Sequence, residues 1–164
     1  MILGDNKLYW AGSMRRIWQH AILTSINYDF FLLFNDDTIL INTALSDLID
    51  DLQKLPKKEI ILIGSTLDPL TKKISYGGRI LLNSYGLTSK KLIPNNNYPQ
   101  LCHLGNANIM LVPTEVVKKI GILSDLFTHG IADFDYTLRA RKIGIPSFIG
   151  SNYSGYCEND HGNK

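Results

Sequence analysis

Phe31-Leu32-Leu33-Phe34-Asn35-Asp36-Asp37-Thr38 is the segment that decides the fold. It belongs to an apolar run from Tyr28 to Phe34, which only Asp29 interrupts and which ends in one amide and two carboxylates. A short, aromatic-rich run bounded by a polar turn predicts a strand that is buried on both faces. Because ligands of open α/β sheets bind beyond the carboxyl ends of the strands, the polar residues of the turn are a candidate site.

The turn Asn35-Asp36-Asp37 fits two different roles. Mg²⁺ and Mn²⁺ prefer oxygen ligands and often share them with substrate phosphates, so a carboxylate here predicts a cation that neutralises a leaving diphosphate. The alternative is a polar turn in which Asp36 or Asp37 caps a following helix. A phosphatase that forms an aspartyl phosphate is disfavoured, because the amide of Asn35 stands where its nucleophilic carboxylate would be.

Strands and helices alternate along the rest of the chain. Helices are predicted over residues 12–26, 43–55, 113–120 and 133–143, strands over 28–34, 59–63, 108–112 and 146–149, and an irregular strand or hairpin over 73–82. Pro56, Gly121 and Gly144 follow three of these helices and are typical helix-ending residues. The alternation predicts an α/β fold in a single domain over residues 1–164, with a mixed but mostly parallel sheet flanked by helices.

Composition excludes several classes of protein. The formal net charge of +2 and the scattered basic residues argue against a nucleic-acid partner. Cys102 and Cys157 have no CxxC spacing, which disfavours zinc and favours free thiols in a reducing compartment. The sequence contains neither a signal peptide nor an apolar run of the ~20 residues that span a bilayer. These features predict a cytoplasmic protein, and its short lysine runs allow a weak attraction to an anionic membrane surface.

Asp133 is predicted to open a late helix that Gly144 ends. A carboxylate at the start of a helix is kept ionised by the helix dipole and the free backbone amides. An ionised carboxylate can remove the proton of a hydroxyl group while that oxygen attacks, so Asp133 is a candidate general base. The alternative role is a simple N-cap. Asp135 and Arg139 are four residues apart on the same helix, a spacing that predicts an ion pair.

Together these segments resemble family 2 glycosyltransferases of the GT-A fold, the nucleotide-diphospho-sugar transferases. The turn is similar to the family's DxD region, with Asn35 in place of the first acid. This resemblance implies that Asp37 binds the metal and that Asn35 and Asp36 lie beside the sugar nucleotide. The segment 132–139 resembles the family's Glu-Asp-x-Asp-x-x-x-Arg helix with alanine in place of the glutamate, which implies that Asp133 is the catalytic base.

Further donor contacts follow from the same resemblance. The segment 105–113 resembles the family's small-residue strand beside the donor sugar, which implies donor contacts by Gly105, Asn106 and Ala107. Small residues there also suit tight packing of a strand on a helix. The segment 8–12 resembles the approach to the family's second helix, so Trp10 is expected either to stack on a sugar or to lie in the core.

The end of the chain carries a second candidate for the metal. His161, in Asp160-His161-Gly162, resembles the family's late histidine, which contacts the metal or the diphosphate. A lone histidine is also commonly structural or exposed, and that alternative stays open.

The resemblance implies an inverting, metal-dependent glycosyltransferase that uses Mn²⁺ or Mg²⁺. It would move a sugar from a UDP-, GDP- or dTDP-linked donor to a hydroxyl of a glycan or lipid-linked acceptor. Segments 64–68 and 75–79 resemble a bacterial, rhamnosyltransferase-like subgroup that builds cell-surface polysaccharides, which places the protein in the cytoplasm or at the inner face of the membrane.

The resemblance begins inside the family's domain, because residues 1–6 resemble the segment just before its second helix. A partial GT-A domain without the first strands is therefore expected. Such a sheet would have an exposed edge that could pair with a second copy, so a homodimer is a further expectation. The alternative to an enzyme is a truncated, non-catalytic remnant that acts as a binding or interaction module.

Overall fold

The computed structural model describes residues 7–83 and 88–159, which form four helices and nine strands. The helices are α1 Tyr9–Ile22, α2 Ala44–Lys54, α3 Thr114–Ile120 and α4 Ala132–Lys142. The strands are β1 Phe30–Phe34, β2 Ile39–Leu40, β3 Ile61–Leu67, β4 Gly78–Leu81, β5 Ser89–Lys91, β6 Gln100–Cys102, β7 Leu104–Gly105, β8 Ile109–Pro113 and β9 Ser147–Tyr156.

The main sheet has the strand order β1-β8-β3-β9-β2, and β6 also pairs with β9. The protein therefore has a mixed α/β architecture, as the alternation of strands and helices predicts. The expectation of a mostly parallel sheet is wrong. Within the described residues only β3 and β9 are parallel, and the other pairings of this sheet are antiparallel.

A second sheet of three short strands, β5-β4-β7, lies between β3 and β8 in the sequence. β4 pairs antiparallel with both of its neighbours. Gly78 of β4 lies so close to the main sheet that an added Cβ would come within 2.3 Å of Ile149 Cγ2. A side chain at this position would push the small sheet away from the main one.

The main sheet is covered on both faces, which explains why its central strands are continuous apolar runs. One apolar cluster contains Trp18 of α1 and Tyr136 of α4, packed around Met110 of β8. A second cluster contains Leu48 of α2, packed with Leu62 of β3. Alternate residues of the central strands therefore enter different clusters, because successive side chains of a strand point to opposite faces.

Helix α2 departs in one detail from its expected apolar stripe. Leu48 is 2% exposed, as the helical period predicts, but Leu45 is 53% exposed. Asp51 is buried instead, at 1% exposure. Burial of this carboxylate is tolerated because Ser151 of β9 donates two hydrogen bonds to it, from the backbone N–H at 2.6 Å and from the hydroxyl at 2.9 Å.

Strand β1 lies at one end of the strand order, so within the described residues one of its edges has no neighbouring strand. Phe30, Leu32 and Phe34 are each more than a third exposed, so the expectation that this strand is buried on both faces is wrong. The partial sheet and the homodimer both stay predictions.

None of the helices in the described part of the chain is long and apolar enough to span a bilayer. Cys102 and Cys157 are free and buried. Burial raises the pKa of the Cys102 thiol to about 12, so this side chain behaves as a small apolar residue.

Candidate functional site

The candidate site lies at the edge of the sheet where β1, β3 and β9 end. β1 and β3 both run antiparallel to β8, and β3 runs parallel to β9, so these three strands point the same way. Strand β8 starts at the edge where they end. The sheet thus brings the turn after β1 next to the residues that precede β8.

A cleft of about 550 Å³ opens at this edge. It contains both carboxylates to which the sequence assigns chemistry, Asp37 and Asp133. The described residues that line it are Trp10, Asn35, Asp37, Tyr76, Asn106, Asn108, His129, Gly130, Ile131, Asp133 and Phe134.

Asp37 belongs to a tight turn that a backbone hydrogen bond closes, from the N–H of Thr38 to the carbonyl of Asn35 at 3.2 Å. Strand β2 follows this turn, and the next helix begins only at Ala44 after its N-cap Thr43. The alternative in which Asp36 or Asp37 caps a helix is therefore wrong. Asp37 is exposed and borders the cleft, whereas Asp36 is not among the residues that line it.

Trp10 and Asn35 form one wall of the cleft. The indole N–H of Trp10 donates a hydrogen bond of 2.7 Å to Oδ1 of Asn35. The backbone N–H of Asn35 donates to the carbonyl of Asn108, at 3.2 Å. Trp10 is half-buried and lines the cleft, so a ligand there can reach its ring.

Asp133 lies one residue inside helix α4 and is 8% exposed. The N-cap is Ile131, which has a φ of 62°, so the simple N-cap alternative for Asp133 is wrong. Oδ2 of Asp133 accepts hydrogen bonds from Asn106 Nδ2 at 3.2 Å and from the N–H of Ala107 at 3.1 Å. Oδ1 accepts from the N–H of Phe134 at 2.8 Å.

Two opposing effects act on the Asp133 carboxyl. Burial raises its pKa above the usual range of an aspartate, because the charged form loses its water. The hydrogen bonds from Ala107, Phe134 and Asn106 lower the pKa, but they offset this effect only in part. A raised pKa suits a group that accepts a proton during a reaction near neutral pH.

The small residues before β8 contribute packing and backbone contacts, and Gly105 and Ala107 are not among the residues that line the cleft. A Cβ added to Gly105 would lie 2.5 Å from Cδ1 of Ile63, so this glycine permits the tight strand packing that was the alternative role. Ala107 is fully buried and reaches the site only through its N–H, which binds Asp133. His161 lies outside the described residues.

Some lining residues are not predicted individually from the sequence. Asn108 lies in the segment 105–113 and Tyr76 in the segment 75–79, but neither side chain is assigned a role there. His129 and Ile131 lie in the connection between α3 and α4, before the segment 132–139. Tyr9 and Ile131 have positive φ angles of 49° and 62°, a costly conformation for residues other than glycine. Such backbone strain beside a cleft is typical of functional sites.

The charge of the cleft favours a cation. Its described lining contains two carboxylates but neither lysine nor arginine. A nucleotide diphosphate could enter this acidic cleft only with a cation that offsets the repulsion. No group of three histidine, cysteine, aspartate or glutamate side chains that could hold a metal occurs in residues 7–83 and 88–159. Asp37 is the exposed carboxylate of the cleft and is thus the lining residue that could hold a cation, together with oxygens of a bound ligand.

Other hollows lie elsewhere on the surface of the described residues. A hollow of about 430 Å³ borders Asp37 on another side and is also lined by Cys157 and Glu158. Burial raises the pKa of the Cys157 thiol, and the charge of Asp37 adds to this effect. A cavity of about 880 Å³ lies near the end of α1 and the start of β1, and none of the predicted site residues lines it.

The sequence matches no protein-family model, and no curated protein is significantly similar to it. The function proposed below therefore depends on the geometry of the cleft and on the motifs in the sequence.

Proposed function

We propose that this chain is an inverting, metal-dependent glycosyltransferase of the family 2, GT-A type. It uses a nucleotide-diphosphate sugar and a hydroxyl acceptor on a glycan or a lipid-linked glycan. One observation carries the proposal: Asp37 and Asp133, 96 positions apart in sequence, line the same cleft.

The first half of the proposed chemistry concerns the donor. Mn²⁺ or Mg²⁺, held by Asp37 and the diphosphate, would act as a Lewis acid that stabilises the departing nucleotide diphosphate. The turn that carries Asp37 keeps this carboxylate exposed at the edge of the sheet. Trp10, oriented by its hydrogen bond to Asn35, offers an aromatic surface to a sugar or a base.

The second half concerns the acceptor. Asp133 removes the proton from an acceptor hydroxyl, and the oxygen forms a bond to the anomeric carbon of the donor. The bond from that carbon to the diphosphate breaks, and its electron pair leaves with the nucleotide. A single displacement of this kind inverts the configuration of the anomeric carbon.

A binding module without catalysis is the second candidate function. It is favoured by the shortage of metal ligands, since the described part of the cleft offers the cation only one well-exposed carboxylate. The two candidates differ in what Asp133 does. A binding module would bind a sugar nucleotide without hydrolysing it, whereas an enzyme would hydrolyse or transfer the sugar.

The test of catalysis is donor hydrolysis by the purified protein with Mn²⁺ and a panel of UDP-, GDP- and dTDP-sugars. We expect Asp133→Asn to lower the rate by ~10²–10⁴-fold, the usual contribution of a general base. Asp125→Asn is the matched control, because it makes the same change on an exposed residue that does not line the cleft. Binding without hydrolysis in the wild type would exclude the enzyme and leave the binding module, and equal measurable rates in the wild type and Asp133→Asn would exclude Asp133 as the general base.

A further inference from the structure

Asn106 makes a contact that a donor-binding role does not explain. Its side chain points to Asp133, and Nδ2 donates a 3.2 Å hydrogen bond to Oδ2 of that carboxylate. The opposite end of the amide, Oδ1, accepts a longer contact of 3.5 Å from the N–H of Gly77. If the amide were turned the other way, Nδ2 of Asn106 would face the N–H of Gly77 and Oδ1 would face Oδ2 of Asp133. A donor would then meet a donor and an acceptor would meet an acceptor, so these two contacts fix the orientation of the Asn106 amide.

The backbone of Asn106 is also held by Gly77. Its N–H donates to the carbonyl of Gly77 at 3.1 Å, which ties it to the segment before β4. Gly77 has a φ of +155°, and a Cβ added there would lie 2.8 Å from Oγ of Ser65. A close approach to β3 therefore sets the position of the residue to which Asn106 is anchored.

The contacts of Asp133 differ between its two oxygen atoms. A carboxylate offers about four lone-pair positions, two on each oxygen. Among its contacts with other residues, Oδ2 accepts two hydrogen bonds, from Asn106 and Ala107, whereas Oδ1 accepts one, from Phe134. The N–H of Asp133 itself adds a further backbone contact to the carboxylate. Oδ1 is therefore the oxygen that neighbouring residues occupy less.

We propose that Asn106 is a positioning residue that saturates Oδ2 of Asp133 and so makes Oδ1 the atom that receives the acceptor proton. This inference rests on the proposed function, because it assigns the atom through which the general base acts. In the step, the hydroxyl proton moves to Oδ1 while the hydroxyl oxygen bonds to the anomeric carbon and the diphosphate leaves with the electrons of the broken bond.

Asn106 is the side-chain donor to Asp133 that a substitution can remove. The other donors are the backbone amides of Ala107, Phe134 and Asp133 itself, which a side-chain substitution does not remove. Three more titratable groups, Asp37, Tyr76 and His129, line the same cleft. On α4 itself, Asp135 is paired with Arg139 at 2.9 Å.

The first test needs neither substrate nor activity: the pH titration of the Asp133 carboxyl carbon, followed by NMR. In the wild type, the NMR signals of the Asn106 side-chain amide should shift with pH, with the same midpoint as the Asp133 carboxyl. Asn106→Leu removes a hydrogen bond to the charged form, so the midpoint should rise by about one to two pH units. Asn106→Asp, which has the same shape, should raise it further through the repulsion of like charges.

The matched control is Asn108→Leu. Asn108 lines the same cleft, but its amide contacts Sγ of Cys157 at 3.5 Å, so the midpoint of Asp133 should stay in place. An unchanged midpoint in Asn106→Leu would overturn the proposal. If that variant does not fold, the wild type provides the test. The proposal would be overturned if the NMR signals of the Asn106 amide did not follow the titration of the Asp133 carboxyl.

Kinetics separate the positioning role from a merely structural one. In the hydrolysis assay, Asn106→Leu should lower kcat with little change in the KM for the donor, and alkaline pH should restore part of the rate. A rise in KM alone would return Asn106 to donor binding and overturn the proposal. If the NMR midpoint moves but no donor is bound or hydrolysed, the positioning of Asp133 stands and the glycosyltransferase function fails.

Discussion

Asp51 shows how strongly one buried carboxylate can tie two elements together. It is 1% exposed in α2 and receives two hydrogen bonds from Ser151, at an irregularity in the pairing of β3 with β9. Lys54 adds an ion pair of 2.8 Å, but its side chain is 42% exposed, so water weakens that contribution. The stabilisation therefore comes mainly from the hydrogen bonds to β9.

Replacing Asp51 with alanine should lower the free energy of unfolding by about 2–4 kcal/mol, because the amide and the hydroxyl of Ser151 would be left unpaired in the interior. Urea denaturation measures this change. Asp50→Ala is the control, since Asp50 is exposed on the same helix and should change stability by less than about 0.5 kcal/mol. Similar losses in both variants would contradict the account of Asp51.

Asp37 and Asp133 can be found from the sequence because each follows a clear structural signal, the end of an apolar strand and the start of a helix. Their shared cleft also follows from the rule that ligands bind beyond the carboxyl ends of strands. Asp51 cannot be found in this way, because its burial depends on Ser151, a hundred residues away. The same holds for His129, which reaches the cleft from the irregular connection between α3 and α4.

At the scale of elements, Gly64 permits the close packing of β3. A Cβ at this position would lie 2.6 Å from Cγ2 of Ile109 and 3.0 Å from Cβ of Ser154. The glycine thus lets β3 approach both β8 and β9, the strands between which it lies.

Gly64→Ala should cost about 1–3 kcal/mol of stability, because the added methyl group overpacks the sheet. Thermal or urea unfolding measures the loss. In Gly130→Ala, the matched control, an added Cβ has no atom within 4 Å, so stability should change little. Equal stability of the two variants would show that the sheet can relax around residue 64.

The position and type of most elements can be predicted from the sequence, but the length of β9 and the direction of β8 cannot. The strand predicted over 146–149 continues to Tyr156. β8 is buried throughout, and this pattern is typical of a parallel strand with helices on both faces. Here the same burial arises because α1 and α4 cover one face and α2 the other, regardless of strand direction. The short strands β2, β5, β6 and β7 also escape prediction, because two or three residues show no period.

At the scale of the whole molecule, the burial of Asp133 links stability to pH. Its pKa is raised in the folded protein, so the folded state holds this proton at pH values where the unfolded chain has released it. The contribution of Asp133 to stability therefore falls as pH rises from the aspartate value of about 4 in the unfolded chain to the raised folded value, and stays constant above it.

Asp133→Asn should remove this pH dependence. The stability of the variant relative to the wild type should rise between acid and neutral pH, since the wild type alone carries the cost of a buried charge. Urea denaturation of both proteins across that range measures the difference. A difference that is constant with pH would show that Asp133 has an ordinary pKa and would weaken its assignment as a base.

The central claim is that the cleft at the edge of the sheet holds a cation and a nucleotide diphosphate beside Asp37. The most direct measurement is calorimetric titration with UDP-, GDP- and dTDP-sugars in Mn²⁺, for the wild type, Asp37→Asn and the control Asp36→Asn. We expect the wild type to bind in a Mn²⁺-dependent way. Binding should weaken by at least ~10–100-fold in Asp37→Asn, because loss of a metal ligand should cost at least as much as loss of the contacts that support a ligand. Asp36→Asn should change binding little, because Asp36 does not line the cleft. Binding that needs no metal, or that survives equally in both variants, would contradict the account.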